Sequence, residues 1–117
     1  MTTNWTVKSI RDSVNAGSAT AESIVDEAIR RIEEKDGEIG AFLEVFADDA
    51  RKAAREVDAR IAVGEADLPL AGVPIALKDN MLVMGHIASA GSKMLADYRA
   101  TYTATVVTRL QEAGAII

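Results

Sequence analysis

Along the first half of the chain, apolar residues recur at the three- and four-residue spacing of helices, and in the middle they run together without alternation. Val7, Ile10 and Val14 share one face of a first short helix, capped at Thr6 and stopped at Gly17. From Thr20 a longer helix carries Ile24, Ala28, Ile29 and Ile32 along one side, and Lys35-Asp36-Gly37 is expected to end it. Its Glu22, Asp26 and Glu27 lie toward the N-terminal half, where negative charge complements the helix dipole. Ala41 to Phe46 is short and apolar; it reads as a buried strand or extended connector, with helix as the competing assignment. A third helix beginning near Asp48-Asp49 places Ala50, Ala54, Val57 and Ile61 on one face and is closed by Gly64. Its other face, Arg51, Lys52, Arg55, Glu56 and Arg60, is expected to be solvated and laced with weak ion pairs.

After a loop over Ala66 to Pro69 the pattern changes. Leu70 to Leu77 is a continuous apolar run, punctuated by Gly72 and Pro74, and suits a strand buried on both faces of a sheet. A Gly- and Ser-containing stretch follows from Gly85 to Ser92, then Lys93-Met94-Leu95 as a helical turn. Thr103 is placed to cap a last helix whose face is Val106, Val107, Leu110 and Ala113, with Gly114 as its C′ residue. Ala115-Ile116-Ile117 looks like the opening of another strand, so the expectation is a truncated α/β domain.

Composition narrows the function classes. With 117 residues, 49% of them hydrophobic, the chain fits a single domain with a real core, and 26% charged residues suit a globular protein. A net charge of −5 disfavours nucleic-acid binding by this segment, because phosphate affinity needs clustered Lys and Arg. The absence of cysteine rules out a disulfide scaffold, a Cys-based zinc site and a cysteine nucleophile. The polar start has no apolar stretch of signal-peptide length, and no run approaches a membrane span; a soluble, cytoplasmic protein is expected.

One residue has a chemically pointed setting. Lys78 follows the apolar run and precedes Asp79-Asn80, so it belongs at the exit of a buried strand, where open α/β sheets bind ligands. Burial among Val73, Ile75 and Leu77 would favour a neutral amine able to act as a general base. Asp79 would oppose this if it faced the amine, but side chains alternate along a strand. On spacing alone the plainer reading outweighs this one: Lys78 ends a strand and reaches into water, with Asp79-Asn80 as turn residues.

The wider pattern reverses that weighting. Pro69-Leu70-Ala71-Gly72-Val73-Pro74-Ile75-Ala76-Leu77-Lys78-Asp79-Asn80 resembles the lysine-bearing stretch of the amidase signature family. Gly91-Ser92-Lys93-Met94-Leu95 resembles its downstream Ser-Lys element. Tyr102 to Val107, with Leu110 to Ala115, resembles the helix beyond it. Within the family, Gly40-Ala41-Phe42-Leu43, Ile75 to Asn80 and Tyr102 to Thr105 read like the A subunits of aspartyl/glutamyl-tRNA amidotransferases.

The resemblance implies the N-terminal part of an α/β/α fold with helices on a mixed sheet: helices over about residues 6–64, the lysine strand over about 70–80, and a helix over about 103–114. The chain would be roughly a quarter of a complete member. It also implies a Ser–cis-Ser–Lys mechanism in which Lys78 is the catalytic base. Both family serines belong to a Gly/Ser-rich segment beyond Ile117, so the chain by itself would be inactive. The cis non-proline bond costs about 3 kcal/mol, which the complete fold must impose. The implied activity is glutamine hydrolysis releasing ammonia, in a complex with the amidotransferase B and C subunits. There ATP and magnesium act at one of these partners, and tRNA is read mainly through the B subunit. No cofactor or metal is expected on this segment.

Two other functions remain open at this point: a stand-alone amidase of small aliphatic or aryl amides, and a non-catalytic binding fragment docking through an unfinished sheet edge. Ser89 and Ser92 are expected to cap or pack rather than to act as nucleophiles. Ala88-Ser89 replaces the family's usual Thr-Thr. His86, the sole histidine, has no ligand-spaced partner and is expected to face solvent.

Overall fold

The computed structural model describes residues 4–65 and 67–117, so Ala66, the start of the expected loop, lies outside the described residues. Among the described residues there are four α-helices, α1 (Val7–Asn15), α2 (Ala21–Ile39), α3 (Ala47–Ala62) and α4 (Thr105–Glu112), with a short 3-10 turn at Lys93–Leu95. The α1 start is a reciprocal box, in which the Thr6 hydroxyl accepts from the Ser9 amide and the Ser9 hydroxyl accepts from the Thr6 amide. Ile10 and Val14 of α1 are buried, while Val7, expected on the same face, is exposed.

α2 and α3 pack antiparallel, and the polar contacts across them show why. Arg51 pairs with Asp26 at 2.8 Å and Arg55 with Glu22 at 3.0 Å. Farther along α3, the Asp58 carboxylate accepts the Ala21 and Glu22 amides at 2.7 and 3.1 Å. These are N–H groups that a helix start leaves without intrahelical partners. Thr20 adds its own hydroxyl to the Ser23 amide at 3.1 Å. Ile24, Val25 and Ile29 of α2 thereby meet Ala54 and Val57 of α3 in one buried cluster with Ile10, Val14, Val73 and Ile116. Each fully buried Val or Ile side chain in such a cluster contributes roughly 1.5–3 kcal/mol.

α2 does not end at Lys35-Asp36-Gly37. It runs to Ile39 and stops at Gly40, which takes the left-handed conformation at φ 67°. Gly37 is tolerated inside the helix, and the Asp36 carboxylate instead accepts the Ala41 and Phe42 amides just past the end. Residues 41–46 are correspondingly neither strand nor buried: they form an irregular connector in which Leu43 is 80% exposed.

The sheet is minimal. Val73 accepts from the Ile116 amide at 2.9 Å and Ile116 accepts from the Ile75 amide at 2.7 Å, around a single parallel bridge between Pro74 and Ile116. Ala115–Ile117, expected to open a strand, contributes a single bridge residue, Ile116, with Ala115 and Ile116 buried. The expected continuous strand from Leu70 to Leu77 does not form. Residues 69–72 are turns, and burial is confined to Ala71, Gly72 and Val73 before fading toward Leu77. The helix-on-strand order is nevertheless that of an α/β fold.

A second pairing joins the chain's later half. Gly85 donates to the Ala100 carbonyl at 2.8 Å, Ala100 to the His86 carbonyl at 2.9 Å, and Ala88 to the Tyr98 carbonyl at 3.1 Å, around an antiparallel Ile87–Arg99 bridge. Thr103 does not cap α4, whose N-cap is Ala104. Its hydroxyl accepts the Met84 amide at 3.1 Å, tying this hairpin to the helix entrance. Val107 is buried beneath α4, Val106 is half exposed, and Gly114 has the positive φ of a C′ residue.

Candidate active site

Lys78 leaves the Val73–Leu77 segment into a turn closed by the Met81 amide on its own carbonyl, at 3.0 Å. It is exposed, not buried among Val73, Ile75 and Leu77, because the sheet beside it is only one bridge wide. The desolvating surroundings expected for its amine are therefore absent from the described residues. Lys78 borders an open cavity of about 810 Å³, which Asp79, His86, Ser89, Ser92 and Lys93 also line.

Asp79 turns away from the lysine. Its carboxylate accepts the Ser89 amide at 3.1 Å and the Ser89 hydroxyl, and its main-chain carbonyl accepts the Ala90 amide at 3.1 Å. The Ser89 hydroxyl first, then the Ser89 and Gly91 amides, hold the Asp79 carboxyl below the usual carboxylate range, against the opposing pull of burial. Among the described residues no ion pair joins Asp79 to Lys78.

Ser89 is thus committed to Asp79. Ser92 stands at the N-cap position of the 3-10 turn, but its side chain makes no capping bond there; only its carbonyl accepts, from the Leu95 amide at 3.1 Å.

His86 departs from expectation. It does not face solvent: its side chain is 19% exposed and its ring stacks on Phe46 with centroids 3.7 Å apart. Nδ1 lies 3.0 Å from Glu44 and Nε2 lies 2.8 Å from Asp49. Burial disfavours charge on the ring, but the two carboxylate hydrogen bonds outweigh it and raise the imidazole above its ordinary value. Those partners lie 42 and 37 residues earlier in the chain, so no local spacing could reveal them. Both ring nitrogens are occupied from opposite sides, and among the described residues no group of three His, Asp or Glu side chains is arranged to hold a metal ion.

A family model described as Amidase matches residues 23–117. The A subunit of the glutamyl-tRNA(Gln) amidotransferase of Brachyspira hyodysenteriae is 44% identical over 115 residues, covering 96% of this chain and 24% of that protein. A chain from a vestigial protein complex connected with the origins of an s-triazine catabolic enzyme superposes with a TM-score of 0.91 at 34% identity, over 96% of this chain and 25% of its own. The peptide amidase of Stenotrophomonas maltophilia superposes with a TM-score of 0.88 at 31% identity, over 97% of this chain and 23% of its own. The chain spans about a quarter of the length of the proteins it matches.

Proposed function

This chain belongs to the amidase family, and on that premise we propose that residues 1–117 are the N-terminal portion of one amidase-signature domain whose catalytic base is Lys78. The observation that carries the reading is the placement of Lys78. It sits at the exit of the Val73–Leu77 segment, on the rim of the cavity, with the neighbouring carboxylate engaged elsewhere.

In the proposed reaction the neutral Lys78 amine takes a proton from a serine held by a cis peptide. That serine deprotonates a second serine, whose oxygen attacks the amide carbon. The carbon–nitrogen bond breaks, ammonia leaves with the returned proton, and water cleaves the acyl ester. Both serines would lie beyond residue 117, supplied by the rest of the domain. The substrate we propose is glutamine, with ammonia delivered to Glu-tRNA(Gln) or Asp-tRNA(Asn). The complex would include the amidotransferase B and C subunits; ATP and magnesium would act at a partner, and tRNA would be bound through it. The likeness to an amidotransferase A subunit supports this choice.

A stand-alone amidase of small amides is the second reading, favoured by the likeness to a peptide amidase. Both readings meet one experiment. In the complete polypeptide, Lys78→Ala should lower ammonia release from the preferred amide by at least about a thousandfold in kcat. Activity within tenfold of wild type would overturn the base assignment. Higher kcat/KM for glutamine than for aryl or peptide amides selects the first reading, and the opposite order selects the second.

A further inference from the structure

We propose that Asp79 is the positioning residue of Lys78, acting through a clasp on the Ser89–Gly91 turn. The inference rests on the reading of Lys78 as the base. Asp79 is held at two places by one turn: its carbonyl accepts the Ala90 amide, and its carboxylate accepts both the amide and the hydroxyl of Ser89. A residue fixed at both ends leaves little freedom to the residue before it. Lys78 is fixed further by the Met81 amide on its own carbonyl.

The turn that makes this clasp is itself strained. Ala90 has φ 48°, in the left-handed region that an alanine avoids, and Gly91 follows at φ 73°. Such a conformation persists only where surrounding interactions over-determine it, and strain of this kind concentrates at functional sites. Here the interactions that hold it converge on Asp79. The strained turn aims the Ser89 amide at the carboxylate and the Ala90 amide at the carbonyl of that one residue.

The clasp has a second consequence for chemistry. An aspartate adjacent to a catalytic lysine could pair with the ammonium and keep it protonated. Here the carboxylate accepts from Ser89, and among the described residues no ion pair joins it to Lys78. The ionised state of that carboxylate is favoured by the same hydrogen bonds. Asp79 therefore orients the amine and leaves it unpaired, without touching the reacting atoms.

The test uses the complete amidase polypeptide and four variants: Lys78→Ala, Asp79→Asn, Ser89→Ala and Ser89→Thr. Asp79→Asn should lower kcat by about tenfold to a hundredfold with KM within about twofold, the size expected when a catalytic group is displaced by a fraction of an ångström to an ångström. The pH profile of kcat should shift as the environment of the Lys78 amine changes. Ser89→Ala should move kcat the same way, and Ser89→Thr, which keeps the hydroxyl, should restore it. A clasp that only stabilises the fold would lower the melting temperature and the active fraction, with the pH profile unchanged. That outcome, or wild-type kcat in both Asp79→Asn and Ser89→Ala, overturns the proposal while Lys78→Ala stays inactive. An active Lys78→Ala variant instead overturns the base assignment itself.

Discussion

His86 illustrates how a single side chain acquires a role from distant partners. Its imidazole joins the 41–46 connector, through Glu44 and Phe46, to Asp49 in the first turn of α3 and to the hairpin that carries it. Asp48 also lies in that turn, and Arg99 on the hairpin directs its guanidinium to the Gly85 carbonyl at 2.9 Å. The hydrogen-bonded carboxylates raise the folded-state pKa of His86 above its unfolded value. The stabilisation is therefore fully present below about pH 6.5, while both carboxylates are ionised, and is lost as pH rises through the elevated folded value. Asp49 is 69% exposed, so screening limits the effect to under about 1 kcal/mol. Urea midpoints measured from pH 6 to 9 should fall for the wild-type chain and stay level for His86→Phe, which keeps the stack on Phe46. Parallel slopes for the two proteins would remove His86 as the cause.

At the scale of elements, two glycines that look alike in sequence behave oppositely. Gly72 has φ 69°, and a Cβ there would lie 3.0 Å from the Val14 side chain and 3.1–3.2 Å from Ala21. It is where the lysine-bearing segment crosses the ends of α1 and α2. Gly37 sits inside α2 with open space around it and no positive φ. Gly72→Ala should therefore destabilise by about 2 kcal/mol or more, from strain plus overpacking. Gly37→Ala should stabilise by about 0.5–1 kcal/mol through reduced backbone entropy in the unfolded chain. Denaturant midpoints that move in the same direction for both would contradict this account.

That contrast also marks what the sequence made legible. Helical period locates α1, α2 and α3 because each buries a stripe that repeats locally, and α4 although it buries only Val107. The end of α2 is not legible because Gly inside a helix is only a small local penalty, and the stop falls instead at Gly40 with its positive φ. The apolar run of Leu70–Leu77 does not become a strand, because such a run reports burial without saying which neighbours supply it. The sequence places Lys78 at the exit of a buried strand; the structure places it, exposed, after an irregular segment that lines a cavity, because exposure depends on how much sheet lies beside it. The Asp79–Ser89 clasp spans 10 residues and the His86 bridge spans 42 and 37, and neither pairing leaves a periodic trace.

At the scale of the whole molecule, the described residues present large apolar side chains to solvent, among them Leu43 at 80%, Val63 at 83% and Met94 at 95% exposure. A second groove, of about 360 Å³, lies between α2 and the Pro74–Leu77 segment and is lined by Trp5, Ile29, Phe42, Val45, Ile75 and Ile117. No helix among the described residues is long and apolar enough to cross a membrane. The chemistry of these residues is equally partial. A base needs a nucleophile within hydrogen-bond reach, and the two serines beside Lys78 do not supply one in this arrangement. The Ser89 hydroxyl donates to Asp79 and not to the Lys78 amine. Ser92 makes no side-chain hydrogen bond to a base among the described residues. The purified 117-residue chain should therefore release no ammonia from glutamine above the uncatalysed rate, and Lys78→Ala should leave that result unchanged. Measured hydrolysis that disappears with Lys78→Ala would reverse this conclusion. Loss of the same activity in Ser89→Ala or Ser92→Ala would then identify the nucleophile, and the Asp79 clasp would have to open for Ser89 to serve.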